Sequence, residues 1–144
     1  NLFVMSQILF ENKNLTIIFY EDKNYLFLKW NGFIPSEEFK TLANEILSAI
    51  DKTKTRAVMS DNTNWKVINP NDHGWAANHW FPAAEKMGIR KFATVLSNDY
   101  FNRAAEKNIE GMADVNCMQI KNFKSPEESL KWLMPEIATA STCL

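Results

Sequence analysis

The chain predicts an α/β fold: a mixed, mostly parallel five-stranded sheet with an N-terminal antiparallel hairpin and about four helices, in the order β-β-α-β-α-β-α-β-α. Three observations carry this. Two runs rich in β-branched and aromatic residues, 15–20 (LTIIFY) and 25–30 (YLFLKW), flank the polar tetrad Glu21-Asp22-Lys23-Asn24, which reads as a hairpin. Short apolar runs without alternation, 56–60 (RAVMS) and 91–96 (KFATVL), read as strands buried on both faces. Segments with apolar residues at helical spacing separate the later strands, and such crossovers impose parallel strands with right-handed connections.

In the second strand Leu26, Leu28 and Trp30 share one face and Tyr25, Phe27 and Lys29 the other. Asn31-Gly32 and Pro35 break it. Ser36 is an N-cap residue type with Glu37 and Glu38 behind it, and Phe39, Leu42, Ala43, Ile46, Leu47 and Ile50 make an apolar helix stripe. After the strand at 56–60, a loop over 61–71 leads to a helix from near Asp72 to Gly88, a residue suited to a left-handed helix end. Pro82 lies inside it and predicts a kink or break. Asn98 or Asp99 caps a third helix with Phe101, Ala104, Ala105, Ile109 and Met112 inward. Residues 117–123 alternate as a half-exposed edge strand. Ser125-Pro126-Glu127-Glu128 combines a capping box with Pro at the first helical position, and opens a final helix carrying Leu130, Leu133, Met134 and Ile137. One domain over 1–144 is expected, with its core about 6–137 and with 1–5 and 138–144 peripheral.

At 144 residues the chain is long enough to bury about 70% of its unfolded surface without a cofactor or staple. Its 16 basic and 17 acidic residues are scattered and leave a net charge of −1, which argues against nucleic acid or anionic lipid as partners. Cys117 and Cys143 have neither disulfide-framework nor metal-ligand spacing. The apolar start lacks a basic region and a cleavage site, and no run approaches the ~20 residues of a membrane helix. A cytoplasmic protein with no integral membrane segment, metal or cofactor is expected.

The segment 60–87 holds both histidines and three of the five tryptophans among turn-forming Asp and Asn residues. In an open parallel sheet, ligands bind beyond the carboxyl ends of the strands. This brings Asp61, Asn64, Trp65, Asp72 and His73 towards Ser97, Asn98 and Asp99 as a candidate ligand site, although Asn and Asp serve equally as turn and cap formers. His79 follows Trp75 by four residues and Asp72 by seven, so the three share a helix face. A His–carboxylate pair could act as a general base, but a lone helical histidine more often packs beside aromatics. His73 and His79, six apart, point about 120° from each other, which disfavours a joint metal site. Trp65, in a polar stretch where no periodicity buries it, is expected to be exposed as a lid.

Trp75, Trp80 and Pro82 in the second helix, Gly88, Ala93 and Val95 leading into the next strand, Phe101, Phe123 and the closing Trp132-Leu133 pair resemble, in order and spacing, a SpoIIAA-like family of uncharacterised bacterial proteins related to STAS and SEC14-type lipid-binding groups. The likeness spans roughly residues 55–134, with topology alone covering the first half. Bacterial anti-sigma factor antagonists of this fold carry a phosphorylatable serine in an Asp-Ser-Ser-Gly-like turn. Here that region reads Ser60-Asp61-Asn62-Thr63-Asn64 without such a turn, so Ser60 and Thr63 are only the nearest hydroxyls to a phosphorylation site. The kinship to lipid-binding proteins implies that Trp30, Trp65, Trp75, Trp80 and Trp132 wall an apolar cavity, although tryptophans are more often plain core.

A phosphoacceptor-aspartate receiver is rejected. Asp61, Ser97 and Lys121 or Lys124 imitate its site, but the acidic pair Glu21-Asp22 lies a strand length, roughly 17 Å, from Asp61. Three readings follow: a non-enzymatic module acting through a protein partner or a homodimer; a binder of a small apolar or amphipathic molecule, with Trp75, His79 and Trp80 as wall; and, last, an enzyme using Asp61, Asp72 and a histidine. No catalytic set can be named for the third.

Overall fold

The structure, a computed structural model, describes residues 5–135. Six strands form one sheet in chain order: β1 (Ser6–Glu11), β2 (Leu15–Tyr20), β3 (Tyr25–Gly32), β4 (Ala57–Trp65), β5 (Lys91–Val95) and β6 (Gln119–Phe123). β1 to β3 are an antiparallel meander and β3 to β6 are parallel. The strand absent from the sequence reading is β1. Its hairpin turn is built by Asn12, whose Oδ1 accepts from the N–H groups of Asn14 and Leu15 at 2.8 Å each.

Helix α1 (Ser36–Thr53) follows β3. A continuous helical stretch made of α2 (Pro70–Trp75), a π-helical turn (Ala76–Trp80) and α3 (Phe81–Lys86) follows β4. Helix α4 (Tyr100–Met112) follows β5 and α5 (Pro126–Leu133) follows β6. Each parallel strand is the neighbour of the one before it, so right-handed crossovers put every connecting helix on the same face of the sheet. The larger core lies there: Leu15, Ile17, Leu28, Trp30 and Val58 from the strands meet Phe39, Leu42 and Ile46 of α1, Trp80 and Phe81 of the middle stretch, and Ile109 of α4. Among the described residues only α5 covers the opposite face, where Leu133 meets Tyr25, Ala57, Met59, Ala93 and Val95.

Several local expectations are corrected. β4 continues through the stretch expected to be loop, because a β-bulge accommodates it: Lys29 pairs with Asp61 but Asn31 pairs with Asn64, so two residues of β4 lie opposite Trp30 alone. Ser36 does not cap α1; Pro35 is the N-cap residue and the Ser36 hydroxyl donates to Asp72 instead, at 2.9 Å. The second helix begins at Pro70, after an Asn69 cap. Pro82 does not break it. The helix widens just before, with the Phe81 N–H reaching five residues back to the Ala76 carbonyl, and Pro82 sits in the first turn of α3. Gly88 ends the stretch at φ +110°, as expected. Helix α4 is turned about one residue, roughly 100°, from the expected phase: Asn102, Glu106 and Ile109 are buried, whereas Phe101 and Met112 are 74% and 51% exposed.

Among the described residues no cysteine is free: Cys117 is disulfide-bonded, although the spacing of the two cysteines suggests no disulfide framework. Cys143, Ile137 and the tail lie outside the described residues. No described helix is long and apolar enough to cross a membrane.

Candidate ligand-binding cavity

On the three-helix face a cavity of about 80 Å³ remains between the carboxyl-terminal halves of β3, β4 and β5 and the helices above them. That volume holds several waters or a small ligand. Trp30, Ser60, Asn62, Trp65 and Thr94 line it from the sheet side, and Phe39, Asp72, His73, Trp80, Phe81 and Glu106 from the helices.

Trp65 is 5% exposed, not a surface lid. The bulge in β4 brings it to the same face as Ser60 and Asn62, where it stacks on Trp30 at 4.1 Å between ring centroids and leans on Phe39. Its carbonyl accepts from the Ser97 hydroxyl at 2.9 Å and the Asn102 amide at 3.2 Å. Asn102 also donates to the Lys66 carbonyl and accepts from the Ile68 N–H at 2.8 Å, which clamps the β4–α2 connection onto α4. The indole Nε1 of Trp65 is buried and has no partner among the described residues, and the same holds for Nε2 of His73. By contrast, Trp80 Nε1 donates to the Ala43 carbonyl at 2.8 Å.

A buried polar chain forms the floor. Trp30 Nε1 donates to Ser60 Oγ at 3.1 Å, Ser60 Oγ donates to Asn62 Oδ1 at 2.7 Å, and Asn62 Nδ2 donates to a Glu106 carboxyl oxygen. The other Glu106 oxygen accepts from the Ser97 N–H at 2.9 Å. Glu106 is 4% exposed, and burial, only partly offset by these two donors, pushes its carboxyl up to about 7. Burial likewise pushes the His73 imidazole down, against the pull of Asp72, so the ring is neutral at pH 7.

The expected site residues thus divide. Trp65, Asp72, His73 and Trp80 line the cavity, as does Ser60, which lies 3% exposed with its hydroxyl engaged on both sides. Ser97 and Asp99 stand behind the wall: Ser97 holds Trp65 and Glu106, and Asp99 caps α4 by accepting from the Asn102 N–H at 2.9 Å. Trp75 packs outside against Phe39, with Lys40 over its ring. His79, Asn64 and Asn98 are exposed. Asp61 and Thr63 are on the other face of β4, where Asp61 pairs with Lys29 at 2.9 Å and accepts from the Thr63 hydroxyl at 2.7 Å. Burial raises the Asp61 carboxyl, but the Lys29 and Thr63 hydrogen bonds outweigh it and hold it below the ordinary range.

Glu106, Asn62, Phe39 and Thr94 are among the lining residues that the sequence does not point to as a site. Asn102, Glu106 and Ile109 fall at four- and three-residue spacing, so a buried polar face was written there, but the apolar Phe101 and Met112 drew the helix phase towards themselves. Among the described residues no three His, Cys, Asp or Glu side chains come together as a metal site.

No family model matches the chain, and no curated protein matches it. A solved structure does: an uncharacterized protein of the DUF3478 family with a SpoIIAA-like fold, from Shewanella loihica PV-4, is 17% identical over 92% of this chain and 97% of that one, with a TM-score of 0.50. Identity at that level bears on architecture alone, and with the six-stranded sheet described above it supports one conclusion: the chain has the SpoIIAA-like fold.

Proposed function

We propose that the chain is a binding domain whose interior cavity takes a small, mainly apolar molecule bearing a polar group. The observation that carries this reading is the pair of unpartnered polar atoms, Trp65 Nε1 and His73 Nε2, on two residues that line a cavity otherwise walled largely by aromatic rings. A buried donor left without a partner costs about 1–3 kcal/mol, so a polar ligand atom or an ordered water is called for there. Aromatic walls with a few polar groups are the usual make-up of a small-molecule pocket.

Trp30, Trp65 and Trp80 make the site self-reporting. Titration of the purified protein with cyclohexanol, benzyl alcohol and short fatty acids is expected to shift tryptophan emission saturably and raise Tm, and native mass spectrometry to find a retained small molecule. Ala43→Leu, which fills the cavity from α1, is expected to abolish the shift. Emission and Tm unmoved across the panel, with a clean apo mass, would overturn the reading.

A second reading, docking of a protein partner or a second copy, draws on the exposed Tyr100 and Phe101, whose rings pack edge to face at 5.5 Å on the surface of α4, with Phe33 and Val67 also exposed. Tight dimers by native mass spectrometry that are lost in Phe101→Ser would favour it.

A further inference from the structure

We infer that the cavity is built for a small organic ammonium that also carries a hydrogen-bond acceptor. This rests on the proposed binding function and names its ligand class. The first observation is the charge inventory. Two carboxylates, Asp72 and Glu106, are 2% and 4% exposed and line the cavity, while no Lys or Arg among the described residues does. Their hydrogen-bond donors are neutral: the Ser36 hydroxyl for Asp72, and the Ser97 N–H and Asn62 amide for Glu106. A buried carboxylate is ordinarily matched by a cation, as Asp61 is by Lys29 on the other face. Here the place for that cation is the cavity.

The second observation is the wall. The rings of Trp30, Phe39, Trp65, Trp80, Phe81 and Phe92 surround the same space, and aromatic faces attract cations, most strongly once water is excluded. The third is Trp65 Nε1, a buried indole N–H without a partner among the described residues, which calls for a ligand acceptor beside the charge. An alkyl ammonium with a neighbouring hydroxyl, ether or carbonyl oxygen satisfies all three at once. A neutral hydrocarbon leaves both the indole N–H and the carboxylates unanswered.

Protonation couples to binding. The charged groups acting on Glu106 are Arg103 of its own helix and Asp99 in the preceding loop; the titratable Asp72 and His73 line the same cavity, while β4 and β5 present only neutral Ser60, Asn62 and Thr94 to it. With its carboxyl at about 7, Glu106 is half ionised at neutral pH. An entering cation favours the ionised form and expels the remaining proton, so affinity rises with pH up to about 7 and then levels.

Choline chloride and its neutral carbon isostere, 3,3-dimethylbutan-1-ol, are the probes. Calorimetric titration into the full chain at pH 6, 7 and 8 is expected to show choline binding at least about tenfold more tightly than the isostere, with up to about fivefold gained between pH 6 and 7. Heats in two buffers of different ionisation enthalpy should show proton release at pH 6. Glu106→Gln is expected to remove the preference and the proton release while isostere binding persists. Asp72→Asn, which leaves the Glu106 chain intact, should weaken choline alone and serves where Glu106→Gln does not fold. Equal binding of choline and isostere would overturn the ammonium inference and leave the cavity-binding reading standing. Binding of neither would overturn the inference, with the emission panel judging the broader reading separately.

Discussion

The two faces of the sheet each bury a carboxylate, and they treat it in opposite ways. Under α5, Asp61 has the Lys29 ammonium at 2.9 Å and two hydrogen bonds from Thr63, and its carboxyl is held below the ordinary range. Under α1 to α4, Glu106 has amide donors but no lining cation, and its carboxyl is pushed up. Both are fed by the same strand: Asp61 and Thr63 leave one side of β4, while Ser60 and Asn62 leave the other. Burial alone therefore does not decide the charge: the hydrogen bonds of Lys29 and Thr63 outweigh it at Asp61, whereas the pull of Arg103 and two amide donors does not outweigh it at Glu106. One face is electrostatically complete, and the other holds a cavity where a countercharge fits.

The largest test of this contrast is Trp65→Ala. If Trp65 is part of the core that closes the cavity, losing its stack on Trp30 should cost about 3–5 kcal/mol in urea unfolding; a loss below 1 kcal/mol would show the cavity face to be far looser than the α5 face. Next is the pH dependence carried by Glu106. Its value is raised in the folded state, so the native chain holds more protons than the unfolded one between about 4.5 and 7, and stability falls as pH rises through that window. The rise corresponds to roughly 3 kcal/mol. Glu106→Gln should lack that decline when unfolding is measured at pH 5 and pH 8, and a decline that persists would place the titrating group elsewhere.

Asp61→Asn probes the complete face. Lys29 is partly solvated, so after discount for screening the loss at pH 7 should be about 1 kcal/mol. Because the Asp61 carboxyl is depressed, its contribution is present above about 4 and lost as pH falls further, so the gap between variant and parent should narrow towards pH 3 in the same unfolding assay. The smallest effect is expected of His79→Ala: an exposed residue outside the cavity should alter stability by less than about 0.5 kcal/mol and leave probe-induced emission changes intact. His73→Ala, which removes a lining residue, should diminish them.

The sheet from β2 onward and the four helical regions were legible because turn chemistry and apolar periodicity agree there: Asn24 and Gly88 take positive φ where the chain must turn, and the stripe on α1 is unbroken. β1 was not legible, since an edge strand offers only Leu9 and Phe10 to the core and its ILF run does not alternate. The candidate site was half legible. The strand ends do converge, and Trp65, Asp72, His73 and Trp80 do line one space. Glu106 is hidden in the sequence because a buried ionisable residue breaks the periodicity by which cores are recognised, and Asp61 falls outside the site because side chains alternate along β4 past Ser60.

The bulge in β4 imposes a condition of parity on this protein. Side chains alternate along a strand, so an odd count between Asn62 and Trp65 would ordinarily set them on opposite sides; the additional residue opposite Trp30 reverses that. What β4 must conserve in this stretch is therefore a number of residues as much as their identity. Replacing Thr63 by another small residue leaves the indole over the cavity, and deleting it would remove the bulge and leave the indole two residues after Asn62, still on the cavity side, whereas inserting one more residue before Trp65 would turn the indole out to the other face.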